Sequence, residues 1–496
     1  MSWGARLGGS ELGRDPARTL LIPLLVAVPL ALALGLGGVT HMAALAIFAV
    51  GGGTFLANPR AFILGFLMLI SLRNFVAGGE RIDAGAIDFD LGGLVNVLAT
   101  AIGLVYFLVL WKNPFKGRSL TVPYALFLGA FAVSMAWAPD FRWAARFVTR
   151  LGAPFFTYLI ISDMLDAKME RQVIRAIYAS SAIPIVYGFY QWITGQGNDV
   201  TEGYLRINSS FFHPAHFGMY LGFLFCLAYA EFLDGRRGNK ALRLIYIGAL
   251  VTLEILTYTR ICWLAMGVSW VYLSWMYGRR GYIVAGGVIF GFVLLAGGQG
   301  ILERFTSAGE VFESGDIYDL NSSVGWRLFF WDEILRRFWE HPWLGFGAGS
   351  SVMLGVELFG VEAAPHNGYL RVLYETGFVG SAAFLLVLGT MLWQGLRLVR
   401  RSDDTRLTFI SHVYVTQTLT YILLNLTDNI LEYYEVAIYQ WAILSLVEYT
   451  NLRAARAGLM EATAAEEELE LAPAEVAAFV EELREDPADA RVIPLR

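Results

Sequence analysis

The chain has 496 residues, of which 56% are hydrophobic, 14% are aromatic and only 16% are charged. Soluble domains carry roughly 25% charged residues, so this composition argues against a soluble domain and for a polytopic membrane protein. The net charge of −6 says little about partners, because the acidic excess lies mostly in the C-terminal tail. No nucleic-acid partner is expected.

About fourteen apolar runs reach or approach the ~17–25 residues that span a bilayer. In chain order they cover 20–39, 41–57, 61–77, 91–111, 122–138, 144–162, 171–194, 214–233, 241–258, 261–277, 281–297, 369–396, 408–427 and 431–449. We therefore predict an all-α polytopic membrane helix bundle with about 12–14 transmembrane helices. The two cysteines, Cys226 and Cys262, lie in predicted spans and indicate neither a disulfide framework nor a zinc site.

The runs predict five segments. These are a cytoplasmic N-terminus over 1–19, a transmembrane bundle over 20–297, a large external loop over 298–368, C-terminal helices over 369–451 and an acidic cytoplasmic tail over 452–496. If the N-terminus is inside, every strongly basic loop also faces the cytoplasm, as the positive-inside rule requires. Those loops contain Lys112, Lys116 and Arg118; Arg236, Arg237, Lys240 and Arg243; Arg279 and Arg280; and Arg397, Arg400, Arg401 and Arg406.

A sparse set of ionisable residues remains on the external side, including Arg206, Arg260 and His366. Arg260 begins an apolar span, and an arginine at the centre of a membrane helix costs ~2.5–3.5 kcal/mol, so it needs an anion or a water-filled cavity. Two interpretations are open: Arg260 forms an ion pair with Glu254, or it faces a cavity and binds an anion such as phosphate.

The long external loop contains an amphipathic stretch with Trp326, Phe330 and Ile334 on one predicted helical stripe. A helix so rich in aromatic residues is expected to lie at the membrane interface and to cover the bundle. The loop ends at His366, which stands between Pro365 and Asn367 at a helix entrance. Histidine is the usual general base near neutral pH, so His366 is our candidate for proton abstraction.

Four motifs occur in order along the chain: SSFFHPAHFGMYL, TYTRICWLAMG, WRLFFWDEILRRFWEHPWLGFGAG and PHNGYLRVLYETGFVG. Over roughly residues 120–450 they resemble the O-antigen ligase and O-antigen polymerase superfamily of bacterial membrane glycosyltransferases, a GT-C-like group. The resemblance implies that His366 is catalytic and that Arg206 and Arg260 hold the diphosphate of a polyprenyl-linked glycan. Further candidates for substrate binding are Arg327, Asn367, His213 and His216; where many members have proline-asparagine, this chain has Pro214-Ala215-His216.

The resemblance implies an inverting glycosyl transfer that needs no metal and no cofactor. The donor would be an undecaprenyl diphosphate-linked glycan, and the acceptor would be a lipid-linked repeat unit for a polymerase or lipid A-core for a ligase. We favour a polymerase, because the long cytoplasmic tail and the Leu-Thr-Asp-Asn segment at 426–429 are more typical of polymerases. The expected location is the bacterial inner membrane, with the site facing the periplasm. A chain-length regulator or a flippase would be a partner.

Two other functions compete with this interpretation. A metal-dependent glycosyltransferase would need external carboxylates, and Asp83, Asp88 and Asp90 share one predicted external loop. A secondary transporter would need paired intramembrane carboxylates and broken helices, for which Glu231 and Glu254 are candidates. The chain has no convincing internal repeat, and its large external loop is atypical of transporters.

Overall fold

The computed structural model describes residues 51–55, 57–72, 81–83, 88–109, 118–200, 204–235, 239–296, 318, 320, 324–401 and 405–450. The predicted cytoplasmic N-terminus, the first predicted span, most of the segment 298–323 and the acidic tail lie outside these residues. Most of these residues are helical, which confirms the predicted all-α bundle. The helices up to residue 447 belong to one compact unit.

In the first half of the chain the named elements are α1 (Pro59–Leu69), β1 (Arg81–Asp83), β2 (Asp88–Asp90), α2 (Leu91–Val109), α3 (Thr121–Ser134), α4 (Phe141–Met164), α5 (Ala167–Thr194), β3 (Asn198–Val200) and β4 (Tyr204–Arg206). Short 3₁₀ turns follow α1 at Ile70–Leu72 and α3 at Met135–Trp137. The strands form two antiparallel hairpins, β1–β2 and β3–β4. Hydropathy did not predict these hairpins, because three-residue strands are too short to show an alternating pattern.

In the second half the elements are α6 (Pro214–Asp234), α7 (Lys240–Leu256), α8 (Arg260–Met276), α9 (Arg280–Ala296), α10 (Gly325–Phe338), α11 (Ser350–Phe359), α12 (Gly368–Arg401), α13 (Thr405–Leu424) and α14 over residues 434–450. A 3₁₀ turn at Ile430–Glu432 joins α13 to α14. The helix α6 lies deep in the bundle, where it packs on α7, α8 and α13.

Four described helices have the length and apolar composition to cross a membrane: Ala167–Thr194, Pro214–Asp234, Gly368–Arg400 and Leu407–Leu424. Shorter apolar helices accompany them at Pro59–Leu72, Asn96–Tyr106, Thr121–Trp137, Arg280–Phe292 and Ser350–Phe359. The chain is therefore a multi-pass membrane protein. The total of about 12–14 spans stays a prediction.

The amphipathic stretch of the long loop forms α10, as its periodicity predicts. Its buried residues Phe330 and Ile334 pack with Leu354 of α11 and Tyr374 of α12 in a small separate core. The helix α10 thus covers the start of α12 and the histidine loop before it.

The predicted span 369–396 is not one continuous helix. Gly377 has φ 64° and ψ −161°, which breaks α12 into a short first segment and a long second one. A Cβ atom at Gly377 would lie 2.4 Å from the backbone of Trp343, so only glycine fits both the backbone angles and the close approach. The break holds the first segment of α12, which follows His366, against the loop around Trp343.

Candidate functional site

The structure brings the predicted site residues to one end of the bundle. Arg206 ends β4, Arg260 begins α8, Arg327 lies in the first turn of α10, His213 and His216 flank the start of α6, and His366 and Asn367 directly precede α12. Arg206 lies within electrostatic reach of Arg260, Arg327 and Asp428. His213 is likewise close to His216, His366 and the same aspartate. These residues share one region although they come from five separate parts of the chain.

The centre of this region is a histidine–carboxylate pair. The Nδ1 atom of His366 lies 3.2 Å from Oδ1 of Asp428, in the turn that follows α13. The same oxygen accepts hydrogen bonds from the Tyr433 hydroxyl at 2.5 Å and from the backbone N–H of Asn429 at 2.8 Å. His366 itself has φ 48°, in the left-handed region that side chains rarely adopt. Strained backbone of this kind is often found where a functional side chain is held in place.

The surroundings of Asp428 determine which nitrogen of His366 carries a proton. Burial alone would raise the pKa of Asp428, but the hydrogen bonds and charges of His366, Tyr433 and Asn429 outweigh burial and hold that pKa well below its ordinary value. Asp428 is therefore a carboxylate and can only accept hydrogen bonds. The Nδ1 atom of His366 must then donate, which leaves Nε2 of the neutral ring as the proton acceptor.

Helix α10 packs on the loop that contains His366. The ring of Trp326 meets the His366 imidazole edge-on, with centroids 5.4 Å apart and planes at 85°. The indole N–H of Trp331 donates to the carbonyl oxygen of Pro365 at 2.6 Å. Asn367 caps the start of α12 by accepting from the N–H of Leu370 at 3.0 Å. These contacts fix the position of the imidazole.

Arg206 is anchored to the turn between α7 and α8. Its Nε donates to the carbonyl oxygen of Thr257 at 2.8 Å, and its Nη2 donates to the Thr259 hydroxyl at 2.9 Å. Burial, with smaller effects from Arg327 and Arg260, lowers the pKa of Arg206 to about 10, so it keeps its charge at neutral pH. Its Nη1 makes no hydrogen bond to a described residue and remains available to an anion.

Arg260 and Arg327 add two more positive charges. Burial lowers the pKa of both guanidinium groups, and the charge of Arg260 lowers that of Arg327 further. The Nε of Arg327 is buried without a hydrogen-bond partner among the described residues. Both carboxylate oxygens of Glu254 also lack such a partner, so the alternative of an ion pair between Arg260 and Glu254 is not supported.

The two histidines at the start of α6 have different partners. The Nδ1 of His213 accepts the backbone N–H of Ala215 at 3.2 Å and thereby caps the helix. Burial, aided by the nearby His216, lowers the pKa of His213 to about 3, so its ring is neutral. The Nδ1 of His216 lies 3.1 Å from Oε1 of the buried Glu435, and its ring packs on Tyr433 at a tilt of 38° with centroids 3.5 Å apart.

Sequence reasoning missed the segment that supplies these partners. Asp428 and Tyr433 lie between α13 and α14, and Glu435 lies in the first turn of α14. The sequence motifs included only the Leu-Thr-Asp-Asn segment at 426–429 from this part of the chain. A carboxylate between two predicted spans, on the same side as His366, is the signal that could have identified Asp428. The predicted external carboxylates Asp83 and Asp88 pair through their backbones in the β1–β2 hairpin.

The structure therefore defines a class of protein. It is a multi-pass helix bundle in which a cationic region surrounds a histidine–carboxylate pair. A family model described as O-antigen ligase matches residues 244–385, which include Arg260, Arg327 and His366. Over these residues the chain is therefore similar to the O-antigen ligase family, as the four sequence motifs predict. Arg206 and Asp428 lie outside the matched segment. No curated protein matches the chain significantly.

Proposed function

We propose that this protein transfers a glycan from a polyprenyl diphosphate carrier to a hydroxyl of an acceptor sugar. The observation that supports the proposal most directly is the His366–Asp428 pair beside three arginines from three different elements. A base alone would fit many reactions. A base next to Arg206, Arg260 and Arg327 fits a reaction whose leaving group is strongly anionic.

The proposed reaction is a single displacement at the anomeric carbon. Nε2 of His366 takes the proton of the acceptor hydroxyl as its oxygen attacks that carbon. The bond between the anomeric carbon and the diphosphate oxygen breaks, and the electron pair leaves with the polyprenyl diphosphate. Because attack and departure occur on opposite faces of the sugar, the configuration inverts. Asp428 stabilises the imidazolium that forms, and the proton then passes from His366 to solvent.

The arginines act on the leaving group. Guanidinium forks bind phosphate oxygens through paired hydrogen bonds, and the interaction strengthens as negative charge develops in a partly buried site. Arg206 is pre-organised for this role because two of its nitrogens are already fixed by Thr257 and Thr259. In this proposal the three arginines supply the positive charge, and the reaction needs neither metal nor cofactor.

The acceptor distinguishes two forms of the proposal. We favour a polymerase, which passes the growing glycan to another lipid-linked repeat unit. The description of the family model as O-antigen ligase favours the alternative, in which the acceptor is lipid A-core. The surface glycan of a deletion strain discriminates between them. Single repeats on the acceptor indicate a polymerase, whereas long lipid-linked chains that never reach the acceptor indicate a ligase.

The decisive experiment uses purified protein in detergent with a polyprenyl diphosphate-linked glycan and its acceptor. We expect product without any ion gradient, no change on adding EDTA, and a loss of about 10²–10⁴-fold in rate for His366→Ala at saturating donor. Donor binding to that variant should persist, because the arginines make that contact. Absence of transfer by the native protein, together with gradient-driven uptake in vesicles, would replace the proposal with a transporter.

A further inference from the structure

Helix α4 carries three arginines at four-residue intervals: Arg142, Arg146 and Arg150, in the sequence FRWAARFVTR. This spacing places them along one face of the helix. The guanidinium groups of Arg146 and Arg150 both lie over the ring of Trp143, 5.4 and 5.7 Å from its centroid. Two positive charges are therefore held near a single indole, an arrangement that mutual repulsion disfavours unless an anion joins them.

The carboxylates nearby do not balance these charges. Arg150 lies 3.8 Å from Glu432, but Glu432 is also bound by the fully buried Arg371. The Nε atom of Arg371 also lies 3.0 Å from Oε1 of Glu375. Arg146 has no carboxylate partner among the described residues, and its buried Nε has no hydrogen-bond partner there. Arg146 therefore contributes a positive charge that no described carboxylate pairs with.

This cluster lies beside the proposed catalytic pair without including the diphosphate-binding arginines. Glu432 directly precedes Tyr433, whose hydroxyl binds Asp428. The His216 ring packs on Tyr433 and lies within electrostatic reach of Glu432. The side chains of Arg150, Glu432, His216 and His366 are 23%, 18%, 12% and 25% exposed, so an incoming substrate can reach each of them.

The start of α4 also packs on the loop that precedes α11. A Cβ atom at Gly349 would lie 3.4 Å from Cβ of Trp143, and the preceding Trp137 donates to the carbonyl oxygen of Gly345 at 3.2 Å. The same loop is held by Glu375, which accepts from the backbone N–H of Gly349 at 2.8 Å. The start of α4 and the first segment of α12, which follows His366, therefore contact the same loop.

We propose that Arg146 and Arg150 form a second anion site, which binds a phosphate group of the glycan acceptor. The inference rests on the proposed function. An inverting displacement requires the acceptor to approach the anomeric carbon from the face opposite the donor diphosphate. Arg206, Arg260 and Arg327 serve the donor, so a separate cationic cluster beside His366 suits the acceptor. A second lipid-linked repeat unit and a phosphorylated lipid A-core both carry the phosphate chemistry that paired guanidinium groups recognise.

The test compares acceptors that differ only in charge. One is the repeat-unit oligosaccharide on polyprenyl diphosphate, and the other is the same oligosaccharide on a neutral octyl group. For Arg146→Gln in the full-length protein we expect a KM for the phosphorylated acceptor raised about 10–100-fold, with kcat and donor affinity little changed. With the octyl acceptor the variant and the native protein should have the same KM. Arg146→Lys should recover part of the loss.

Arg336→Gln is the matched control, because Arg336 is an exposed arginine on α10 that pairs with Asp332 and Glu333. It should leave both acceptors unaffected. A third acceptor, phosphorylated lipid A-core oligosaccharide, shows which source of phosphate the site uses. An equal loss of Arg146→Gln activity with charged and neutral acceptors, or no loss with either phosphorylated acceptor, overturns the second site. Failure of the native protein to use any polyprenyl diphosphate donor overturns the proposed function instead.

Discussion

The Nδ1 atom of His366 lies 3.2 Å from Oδ1 of Asp428, although 62 residues separate them in the chain. Their contact joins the loop before α12 to the turn after α13. Asp428 is itself fixed by Tyr433 and by the backbone of Asn429. The carboxylate is therefore positioned before any substrate arrives, and its function in our proposal is to keep Nε2 of His366 free to accept a proton.

The first prediction concerns Asp428→Asn. The amide keeps the size of the side chain but removes its charge. It also allows the tautomer of His366 in which Nε2 carries the proton and cannot accept one. We expect kcat to fall by about 10²–10⁴-fold, while the dissociation constant for a polyprenyl diphosphate donor stays near the native value. Steady-state rates at saturating donor and a separate binding titration measure the two quantities.

Tyr433→Phe is the control for this prediction. It removes one hydrogen bond to Asp428 but leaves the carboxylate and its contact with His366, so it should lose much less activity. An Asp428→Asn protein with more than about a tenth of native kcat would show that the carboxylate does not assist the histidine.

The second prediction is that Arg260→Lys will not rescue Arg260→Ala. An ammonium group is a point charge and cannot reproduce the two-pronged hydrogen bonds of guanidinium to a diphosphate. Both variants should insert and fold normally and lose on the order of 10²–10³-fold in transfer rate. Glu254→Gln should not share this loss, since Glu254 does not hold Arg260. Near-native activity of the lysine variant would refute diphosphate binding by Arg260.

The third prediction concerns orientation. If the basic loops face the cytoplasm, cysteines placed at Lys240, Arg280 and Arg401 should react with a membrane-impermeant thiol reagent only after the cells are permeabilised. A cysteine at the partly buried Arg260 should react in cells whose outer membrane is permeabilised but whose inner membrane is intact. External labelling at position 280 would invert the topology and place the site in the cytoplasm.

The sequence was sufficient to predict the helical bundle, because long apolar runs leave the backbone few alternatives in a membrane. It also predicted α10, whose aromatic stripe has a clear helical period. It could not predict that Gly377 breaks α12. A glycine among apolar residues is usually compatible with a helix, and the cause of the break is the close approach of Trp343, which is distant in the chain.

Part of the candidate site could be predicted from the sequence. His366, Arg206 and Arg260 were identified by residue type and by their position on the sparsely charged side, and the structure places them in one region. Asp428 and the arginines of α4 were not singled out, because their importance depends on contacts between distant helices. An aspartate in a short turn is ordinarily a solvated residue, and only the fold shows that it is buried against His366.

The fourth prediction assigns His213 a capping function. Because burial lowers its pKa to about 3, His213 stays neutral above that pH and contributes no charge between pH 5 and 8. His213→Asn should keep activity and give a pH–rate profile that superimposes on the native one, since asparagine also caps helices well. His213→Ala should lower the free energy of unfolding by ~1 kcal/mol. A shift in the acid limb for His213→Asn would show instead that His213 takes part in proton transfer.

The last prediction concerns Glu375. We expect this residue to stabilise the fold and not to take part in catalysis. Its carboxylate accepts hydrogen bonds from Gly349 N–H at 2.8 Å, from Ser351 Oγ at 2.5 Å and from Arg371 Nε at 3.0 Å. Both Arg371 and Glu375 are fully buried. Removing the charge of Glu375 leaves the buried positive charge of Arg371 with less negative charge beside it. Breaking a buried ion pair in this way costs roughly 3–5 kcal/mol. Glu375→Gln should therefore unfold at a clearly lower temperature in detergent.

Ser351→Ala provides the comparison for Glu375→Gln. It removes one hydrogen bond from a hydroxyl to the same carboxylate, worth about 1.5–3 kcal/mol, and leaves the charge pair intact. The folded fraction of Glu375→Gln should bind the polyprenyl diphosphate donor with native affinity, because Glu375 has no described contact with Arg206, Arg260 or Arg327, which we propose bind the donor. If Glu375→Gln unfolds at the same temperature as Ser351→Ala but binds donor more weakly, then Glu375 acts on the substrate site and not on the support beneath it.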